Sequence, residues 1–407
     1  MSIKAPPGTH DVLAKDWPNW ERIVGEAQRL CALYGYAPIT TPGFEDTDLF
    51  ARTSGAGSDV VQKEMYSFVD RGDRSLTLRP EGTAPIARAY LEHGLHRDPQ
   101  PQKLYTIAPM YRYSRPQRGR FREHWQLSVE AIGSDDPAVD AEVIQLFDRL
   151  LQELGVTDYR LDLNSIGDRN CRPGYVDALK AWLDAHEGEL DEEARQKRDT
   201  NPLRVFDVKS PGMQTLLASA PKIDEALCDE CREHFRGVRL ALDAYGVEYD
   251  LVPTLVRGLD YYTRTTWEFS GPEEGAQSSI SGGGRYDYLV EEISGPPTPG
   301  VGFGAGIERI HLAVGEEAPP TEPIDVFFAF EDVGRRTDLL PLLAKLRADG
   351  RPTDTDYAAR SLKGQLTQAQ RLGAKTVVIA KAAGFTVRRR GQEDLDVQTV
   401  EELEALL

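Results

Sequence analysis

The sequence predicts an α+β protein in two domains. The larger is built on a mostly antiparallel sheet and carries a helical insertion; the smaller, at the C-terminus, is α/β. Three observations predict this. Residues 104–133 read as two long strands joined by an arginine-rich loop. Residues 64–69 and 75–79 read as a second hairpin around the turn Asp70-Arg71-Gly72-Asp73. Beyond residue 324, strands and helices alternate over about 80 residues, as a compact domain with a mixed sheet does.

Taken in order, residues 5–12 are turn-rich. Asp16 is placed to cap a helix with Pro18 in its first turn. Trp17, Trp20, Ile23, Val24, Ala27, Leu30, Cys31 and Tyr34 then recur at helical spacing, and Gly35 ends the run. A strand over 36–41 leads to Pro42. This unit suits either core or one half of a dimer interface. After the 64–79 hairpin, Glu81 and Thr83 fall where a strand gives way to a helix over 83–90. They are either caps or ligand groups, since a carboxylate can hold an α-ammonium group and a threonine can add a hydrogen bond.

The long hairpin follows, with strands over 104–113 and 125–133. Alternation puts Trp125, Leu127, Val129 and Ala131 on one face and Gln126, Ser128 and Glu130 on the other. Arg112 sits near the end of the first strand, and Arg115, Arg118, Arg120 and Arg122 crowd the connecting loop. An amide and a carboxylate beside these arginines suit a small zwitterion next to a phosphate; an ordinary hairpin with a solvated basic loop reads the same way. A helix over 138–154 and a strand over 159–164 come next. Residues 170–245 then change character, being helical and acidic, and read as an insertion. Cys228 and Cys231 form a CxxC there, with Cys171 far upstream. A structural zinc site normally needs four ligands, so no metal site is expected. The seven histidines make no HExxH pair.

A strand over 249–253 precedes Arg257, Tyr261 and Tyr262. Arg257 reads either as an ion-pair partner of Asp260 among packed tyrosines, or as a charge held against a phosphate beside a pocket shaped by phenols. Residues 280–290 put three glycines before a short helix. Residues 300–310 alternate glycine along a strand and then begin a helix, with Arg309 in its first turn, where backbone amides favour an anion. Neither the dinucleotide fingerprint nor the GxxxxGK[ST] loop is present, so a nucleotide would be bound another way. Residues 315–322 are a linker. Strands over 325–330, 352–356, 376–379 and 385–390, and helices over 337–348, 360–371 and from 399, complete the chain.

The totals restrict function. A net charge of −18 over 407 residues argues against broad nonspecific nucleic-acid binding but leaves room for a local basic patch. No apolar run reaches the ~18 residues of a membrane span, and residues 1–13 hold no secretory h-region. Four cysteines make no disulfide framework, so a cytoplasmic setting is expected.

Taken together, these stretches resemble the class II aminoacyl-tRNA synthetases, and more narrowly the bacterial-type histidyl-tRNA synthetases, from about Gly8 to near the C-terminus. The 17–42 helix and strand ending in Pro42 resemble the class motif of the dimer interface. MYRYSRPQRGRFREHWQLSVEAIG and GFGAGIERI resemble the other two class motifs, and LVRGLDYYTRT and GGGRYD the two histidine-specific signatures. The resemblance implies a class II catalytic domain over 1–320, with the insertion at about 170–245, and an anticodon-binding domain over 324–407. It implies activation of L-histidine by ATP, with Mg2+ accompanying the ATP, transfer to tRNA(His), and a homodimer formed through 17–42, without a membrane. Glu81 and Thr83 would hold the α-ammonium group. Gln126, Glu130, Tyr261, Tyr262 and Tyr286 would line the histidine pocket. Arg112 would hold the α-phosphate and Arg309 the γ-phosphate, and Arg257 would supply charge to the reacting phosphate. Arg115, Gln117 and Arg118 would reach the tRNA acceptor end. The chain departs from the family pattern at Ser114, where an acidic residue usually contacts adenine, at Ser128, where glycine is common, and at Val208, where cysteine-richer relatives carry cysteine. The alternative is a non-catalytic paralogue such as the regulatory subunit of ATP phosphoribosyltransferase. That protein lacks the C-terminal domain and usually degrades RGLDYY; this chain keeps both.

Overall fold

The computed structural model describes residues 3–53, 55, 60–115, 118–272, 278–315 and 323–407. It divides into two units, Met1–Ala318 and Pro319–Leu407. In the first, helix α1 (Trp17–Leu33) leads to strands β1 (Ala37–Pro38) and β2 (Phe44–Asp46) and helix α2 (Thr47–Thr53). Strands β3 (Tyr66–Val69) and β4 (Ser75–Leu78) precede helix α3 (Thr83–Glu92). The long hairpin is β5 (Gln102–Tyr111) and β6 (Glu123–Ile132), followed by α4 (Pro137–Glu153) and β7 (Arg160–Ser165). The insertion contributes α5 (Arg172–Ala185), α6 (Glu192–Thr200), α7 (Pro211–Leu217) and α8 (Asp229–Tyr245). Strands β8 (Asp250–Leu251), β9 (Thr263–Ser270) and β10 (Ser279–Arg285), helix α9 (Leu289–Glu292), strand β11 (Gly300–Gly306) and helix α10 (Ile307–Val314) complete the unit.

Eight strands form one sheet in the order β1-β5-β6-β11-β10-β9-β7-β8. Only the outer pairs, β1 with β5 and β7 with β8, run parallel; the others are antiparallel. One face carries the expected apolar set. Leu127, Val129 and Ala131 of β6 pack with Trp267 and Phe269 of β9, and helices α1, α4 and α8 cover them through Ile23, Phe147 and Phe235. Burying each such side chain contributes roughly 1.5–3 kcal/mol, so this face anchors the sheet. The insertion has its own core, with Leu179, Leu183, Val205, Val208 and Cys231 all buried.

Several local expectations change. The strand expected over 36–41 shrinks to Ala37–Pro38, because Pro38 has no N–H to donate to a ladder. Asp16 is the N-cap of α1, but its helical φ and ψ leave it without a side-chain capping bond. The strand expected over 249–253 is reduced to Asp250–Leu251. The three glycines before α9, given no element from sequence, lie within strand β10.

Arg285, the last residue of that strand, has no exposed surface. Its guanidinium bonds Asp140, donates to Asp287 Oδ1 at 3.1 Å and to the Ser134 carbonyl at 2.5 Å. Asp140 is equally buried. Removing one member of such a pair leaves an uncompensated charge inside the protein. Arg285→Ala is therefore expected to lower unfolding free energy by about 3–5 kcal/mol. Urea denaturation followed by tryptophan fluorescence reads this unit alone, since all five tryptophans lie in it. A loss below about 1 kcal/mol would contradict the pairing.

The second unit is a five-stranded mixed sheet, β13-β12-β14-β15-β16, with β12 (Val326–Phe330), β13 (Thr353–Thr355), β14 (Thr376–Ala380), β15 (Phe385–Arg389) and β16 (Leu395–Val397). Helices α11 (Arg336–Ala348), α12 (Leu362–Arg371) and α13 (Val400–Leu406) cover it. Val326, Phe328 and Phe330 meet α11 and α13 on one face, while Phe327 and Ala329 meet α12 on the other. Both faces are thus buried, which is why β12 reads as one continuous apolar run. Strand β16, only three residues long, carries too little pattern to be predicted from sequence.

Candidate active site

The second face of the large sheet is built to stay open. On β6, Gln126, Ser128 and Glu130 alternate away from the core. Across the ladder they face Gly306, Gly304 and Gly302 of β11. The next strand continues the pattern, pairing Gly304 with Gly282 and Gly302 with Gly284. Backbone leaves no room for a Cβ at Gly302, against the Val129 carbonyl, or at Gly284, against the Thr265 carbonyl, and a Cβ on Gly282 would displace the Arg257 guanidinium. The glycine alternation seen in the sequence is therefore a floor that gives polar side chains and ligands room.

Above this floor lies a cleft of about 620 Å³. Glu81, Thr83, Arg112, Arg115, Gln126, Arg257, Tyr261, Tyr262 and Arg309 all line it, together with Ser114. Residues separated by more than 200 positions in sequence thus meet in one place. Glu130 and Tyr286 lie behind the wall instead, both buried. Arg118 is outside the lining, and Gln117 falls outside the described residues.

At one end of the cleft, Glu81 does act as a cap. Its Oε2 accepts from the Thr83 amide at 2.7 Å and its Oε1 from the Ala84 amide at 2.8 Å. The two readings of Glu81 are therefore compatible: the first turn of α3 orients a carboxylate that also faces the cleft. Burial raises its pKa, and the two amide bonds oppose that shift. The Thr83 hydroxyl donates to Glu130 Oε1 at 2.7 Å, and the Tyr286 hydroxyl to Glu130 Oε2 at 2.6 Å. Burial pushes the Glu130 pKa up to about 8, with the nearby Glu81 adding to the rise against those two hydroxyls. Gln126 donates to Ser128 Oγ at 2.9 Å, so Ser128 sits beneath the amide and fixes it. Tyr261 packs at 4.7 Å from Tyr262 and 5.9 Å from Tyr286, ring centre to ring centre.

The other end is basic. Arg112 is aimed by a 2.7 Å bond from Nε to the Pro80 carbonyl, and Arg309 by a 3.1 Å bond to the Gly119 carbonyl. Burial lowers the Arg309 pKa, and its neighbours Arg120, Arg112 and Arg257 add to the effect while Glu268 opposes it. This crowding of like charge is what an incoming polyphosphate would relieve. The ion-pair partner of Arg257 is Glu268, not the Asp260 considered from sequence. Asp260 instead accepts from Asn201 of the insertion at 3.0 Å. Burial disfavours the charged form of Arg257, but Glu268 outweighs it and the pKa is raised.

The structure adds residues that sequence reasoning passed over. Glu268 alternates with buried Trp267 and Phe269, so the period-2 pattern of β9 could have placed it in the cleft. His124 lines the cleft with its pKa pushed down to about 3 by burial and by Arg112, leaving a neutral imidazole. Arg204 and Asp207, from the 3₁₀ turn Pro202–Asp207 of the insertion, also reach the cleft, and no motif signals them.

This antiparallel sheet with a glycine floor, a carboxylate-lined end and an arginine-rich end matches the class II aminoacyl-tRNA synthetase core that the sequence motifs resemble. The comparisons with known proteins narrow this class. The family model described as Histidyl-tRNA synthetase matches residues 8–310. The Moorella thermoacetica histidine--tRNA ligase is 46% identical over 406 residues, covering 99% of this chain and 96% of the relative. That of Caldanaerobacter subterraneus is 44% identical over 403 residues, covering 98% and 94%. The apo S. aureus histidyl-tRNA synthetase structure superposes with a TM-score of 0.80 at 35% identity, over 100% of this chain and 99% of that one. The chain belongs to the histidyl-tRNA synthetase family.

Proposed function

We propose that the cleft joins L-histidine to ATP and then passes the histidyl group to tRNA(His). The observation that carries this reading is the meeting of Arg112, Arg257 and Arg309 with Glu81, Gln126 and the tyrosine pair in one cleft. Histidine and ATP give histidyl-adenylate and pyrophosphate; a 3′-terminal tRNA hydroxyl then takes the histidyl group and AMP leaves. In the first step a histidine carboxylate oxygen bonds to the α-phosphorus as the bond to pyrophosphate breaks. Charge builds on the α-phosphate oxygens, where Arg257 and Arg112 supply donors already in place. Arg309 takes the γ-phosphate of a bent ATP, which enters with Mg2+. Glu81 and Thr83 hold the α-ammonium group. Gln126, Tyr261 and Tyr262 enclose the side chain, with Glu130 and Tyr286 behind them. The Ser114 hydroxyl is buried and finds no partner among the described residues, which supports an adenine contact from this unusual position.

Arg115, Gln117 and Arg118 reach the acceptor end of the tRNA. Residues 324–407 form the anticodon-binding domain beside a catalytic domain over 1–320; the separate core of the second unit supports this division. Two copies pair through 17–42, a reading supported by exposed Trp17 and Leu33 on the outer side of α1. The four cysteines are free, and no helix of the described residues is long and apolar enough to cross a membrane, both consistent with a cytoplasmic setting. The paralogue alternative is disfavoured by the intact Arg257 and Tyr261 at the cleft and by the presence of the second unit.

The test is charging of tRNA(His) with labelled histidine. Acid-precipitable histidine that depends on both ATP and this tRNA is the expected result. Adenylate formation without any charging would refute the transfer step.

A further inference from the structure

One side-chain cluster lies outside the cleft chemistry. Asp168, Cys171, Cys228 and Cys231 each offer a ligand atom, and these atoms all lie within 4.8 Å of one another. The Cys171 and Cys231 sulfurs are 3.8 Å apart. Asp168 Oδ1 is 3.7 Å from Cys171 Sγ and 4.0 Å from Cys228 Sγ. A tetrahedral ion with bonds of about 2.3 Å to sulfur sets its thiolates about 3.8 Å apart. From these distances and this ligand set we propose that the four residues form a structural zinc site.

The expectation of no metal site rests on the cysteine count and on Val208 standing where cysteine-richer relatives carry cysteine. That count gave one CxxC pair and a single Cys171, three ligands in all. Asp168 supplies the fourth. It stands three residues before Cys171, so the site is two pairs of the same spacing, Asp168-x-x-Cys171 and Cys228-x-x-Cys231. Both pairs sit at helix starts: Cys171 is the N-cap of α5 and Cys228 the N-cap of α8. The positive ends of two helices therefore face the thiolates. Val208, the position where relatives carry cysteine, packs in the insertion core and is not needed.

The surroundings are shaped for this cluster. Gly167 has φ +65°, and a Cβ there would lie 2.7 Å from Cys171 Sγ, so the chain turns tightly around the sulfur. Arg264 approaches Asp168 Oδ2 at 3.6 Å, which turns Oδ1 toward the sulfurs. Three thiolates, a carboxylate and Zn2+ leave a net negative site, and Arg264 and Arg172 lie close enough to offset it. A single hard cation such as Mg2+ would need oxygen ligands, and the soft sulfur set excludes it. An iron–sulfur cluster needs its thiolates farther apart than one ion does.

The site would tie the entry of the insertion to its exit. Cys171 and Cys231 are separated by 60 residues of chain. Next to the site, Arg172 donates to the carbonyls of Ile166 at 3.0 Å, Gly167 at 2.9 Å and Tyr262 at 2.6 Å. Zinc would thus fix the insertion one residue from the group that holds the Tyr262 backbone at the cleft. The proposal does not depend on what the cleft binds.

The test is elemental analysis of the full chain, purified without chelator and desalted, alongside Cys171→Ser, Cys231→Ser and Asp168→Ala. Wild type is expected to hold about one zinc per chain and each cysteine variant almost none. Where a variant fails to fold, the wild-type protein still decides. Stripped under reducing conditions and titrated with Co2+, it should show stoichiometric uptake with thiolate-to-cobalt and tetrahedral absorption bands. Wild type that holds no zinc even after incubation with zinc sulfate, or that takes up cobalt without thiolate bands, overturns the proposal. So does a Cys171–Cys231 disulfide found by mass spectrometry in freshly purified protein, or zinc retained in full by a folded Cys231→Ser variant.

Discussion

Arg257→Ala is expected to lower the rate of histidyl-adenylate formation by about 100- to 1,000-fold while leaving histidine affinity nearly unchanged. The reasoning is geometric. Arg257 faces the cleft from above a strand with no Cβ at Gly282, and Glu268 holds it there. Its charge is in place before the α-phosphate becomes more negative, so the stabilisation it offers is greatest in the transition state. Histidine affinity is expected instead to depend on Glu81, Gln126 and the tyrosines, which line the same cleft. Two further variants separate this role from a merely structural one. Gly282→Ala places a methyl group where the guanidinium lies, and should reproduce the loss in rate with Arg257 still present. Arg257→Lys keeps the charge but not the fork of donors, and should recover part of the rate. Single-turnover adenylation measured beside equilibrium histidine binding reads both quantities. Equal losses in the two would assign Arg257 to uniform binding instead.

Glu130→Gln is expected to weaken histidine binding by about 10- to 100-fold, because a buried carboxylate one hydroxyl behind the cleft, through Thr83, attracts a bound cationic group that a neutral amide does not. It should also alter the pH dependence. In the free protein Glu130 has its pKa pushed up to about 8 by burial, so it holds a proton at neutral pH. A bound ammonium group or imidazole N–H favours the carboxylate instead. Histidine binding should then expel a proton, and the affinity of wild type relative to Glu130→Gln should rise from pH 6.5 to about 8 and level off above. Stability moves the opposite way. The folded protein holds a proton that the unfolded chain has already lost, so wild type loses stability as pH climbs from the ordinary glutamate range through about 8. The melting temperature of Glu130→Gln relative to wild type should therefore increase over that interval. A constant difference in melting temperature and a constant affinity ratio across the same pH range would contradict a protonated Glu130.

Much of this was legible because the sheet imposes strict alternation. Leu127, Val129 and Ala131 announced the core face of β6, and the same period delivered Gln126 and Glu130 to the opposite one. The glycines of β10 and β11 signalled close approach, though only the register shows that they face Ser128 and Glu130. Sequence could not order depth. Alternation puts Glu130 on the pocket face without showing that it lies buried behind the lining, joined to it by the Thr83 hydroxyl. Partners across long separations were equally hidden. Arg257 chooses Glu268 over nearby Asp260 because adjacent strands bring Glu268 beside Gly282, while Asp260 is engaged by Asn201. The reach of Arg204 and Asp207 into the cleft follows from how the insertion packs, and its acidic, helical pattern carries no trace of it. Asp168 escaped notice because a carboxylate three residues from a cysteine is common, and only folding brings it beside Cys228 and Cys231.

The cleft is proposed to activate histidine with ATP before any tRNA is bound. Exchange of labelled pyrophosphate into ATP, run without tRNA and with each amino acid in turn, tests it most directly. Rapid exchange with histidine, and only background with the other amino acids, is the predicted result. A folded protein that binds histidine yet supports no histidine-dependent exchange would contradict the claim.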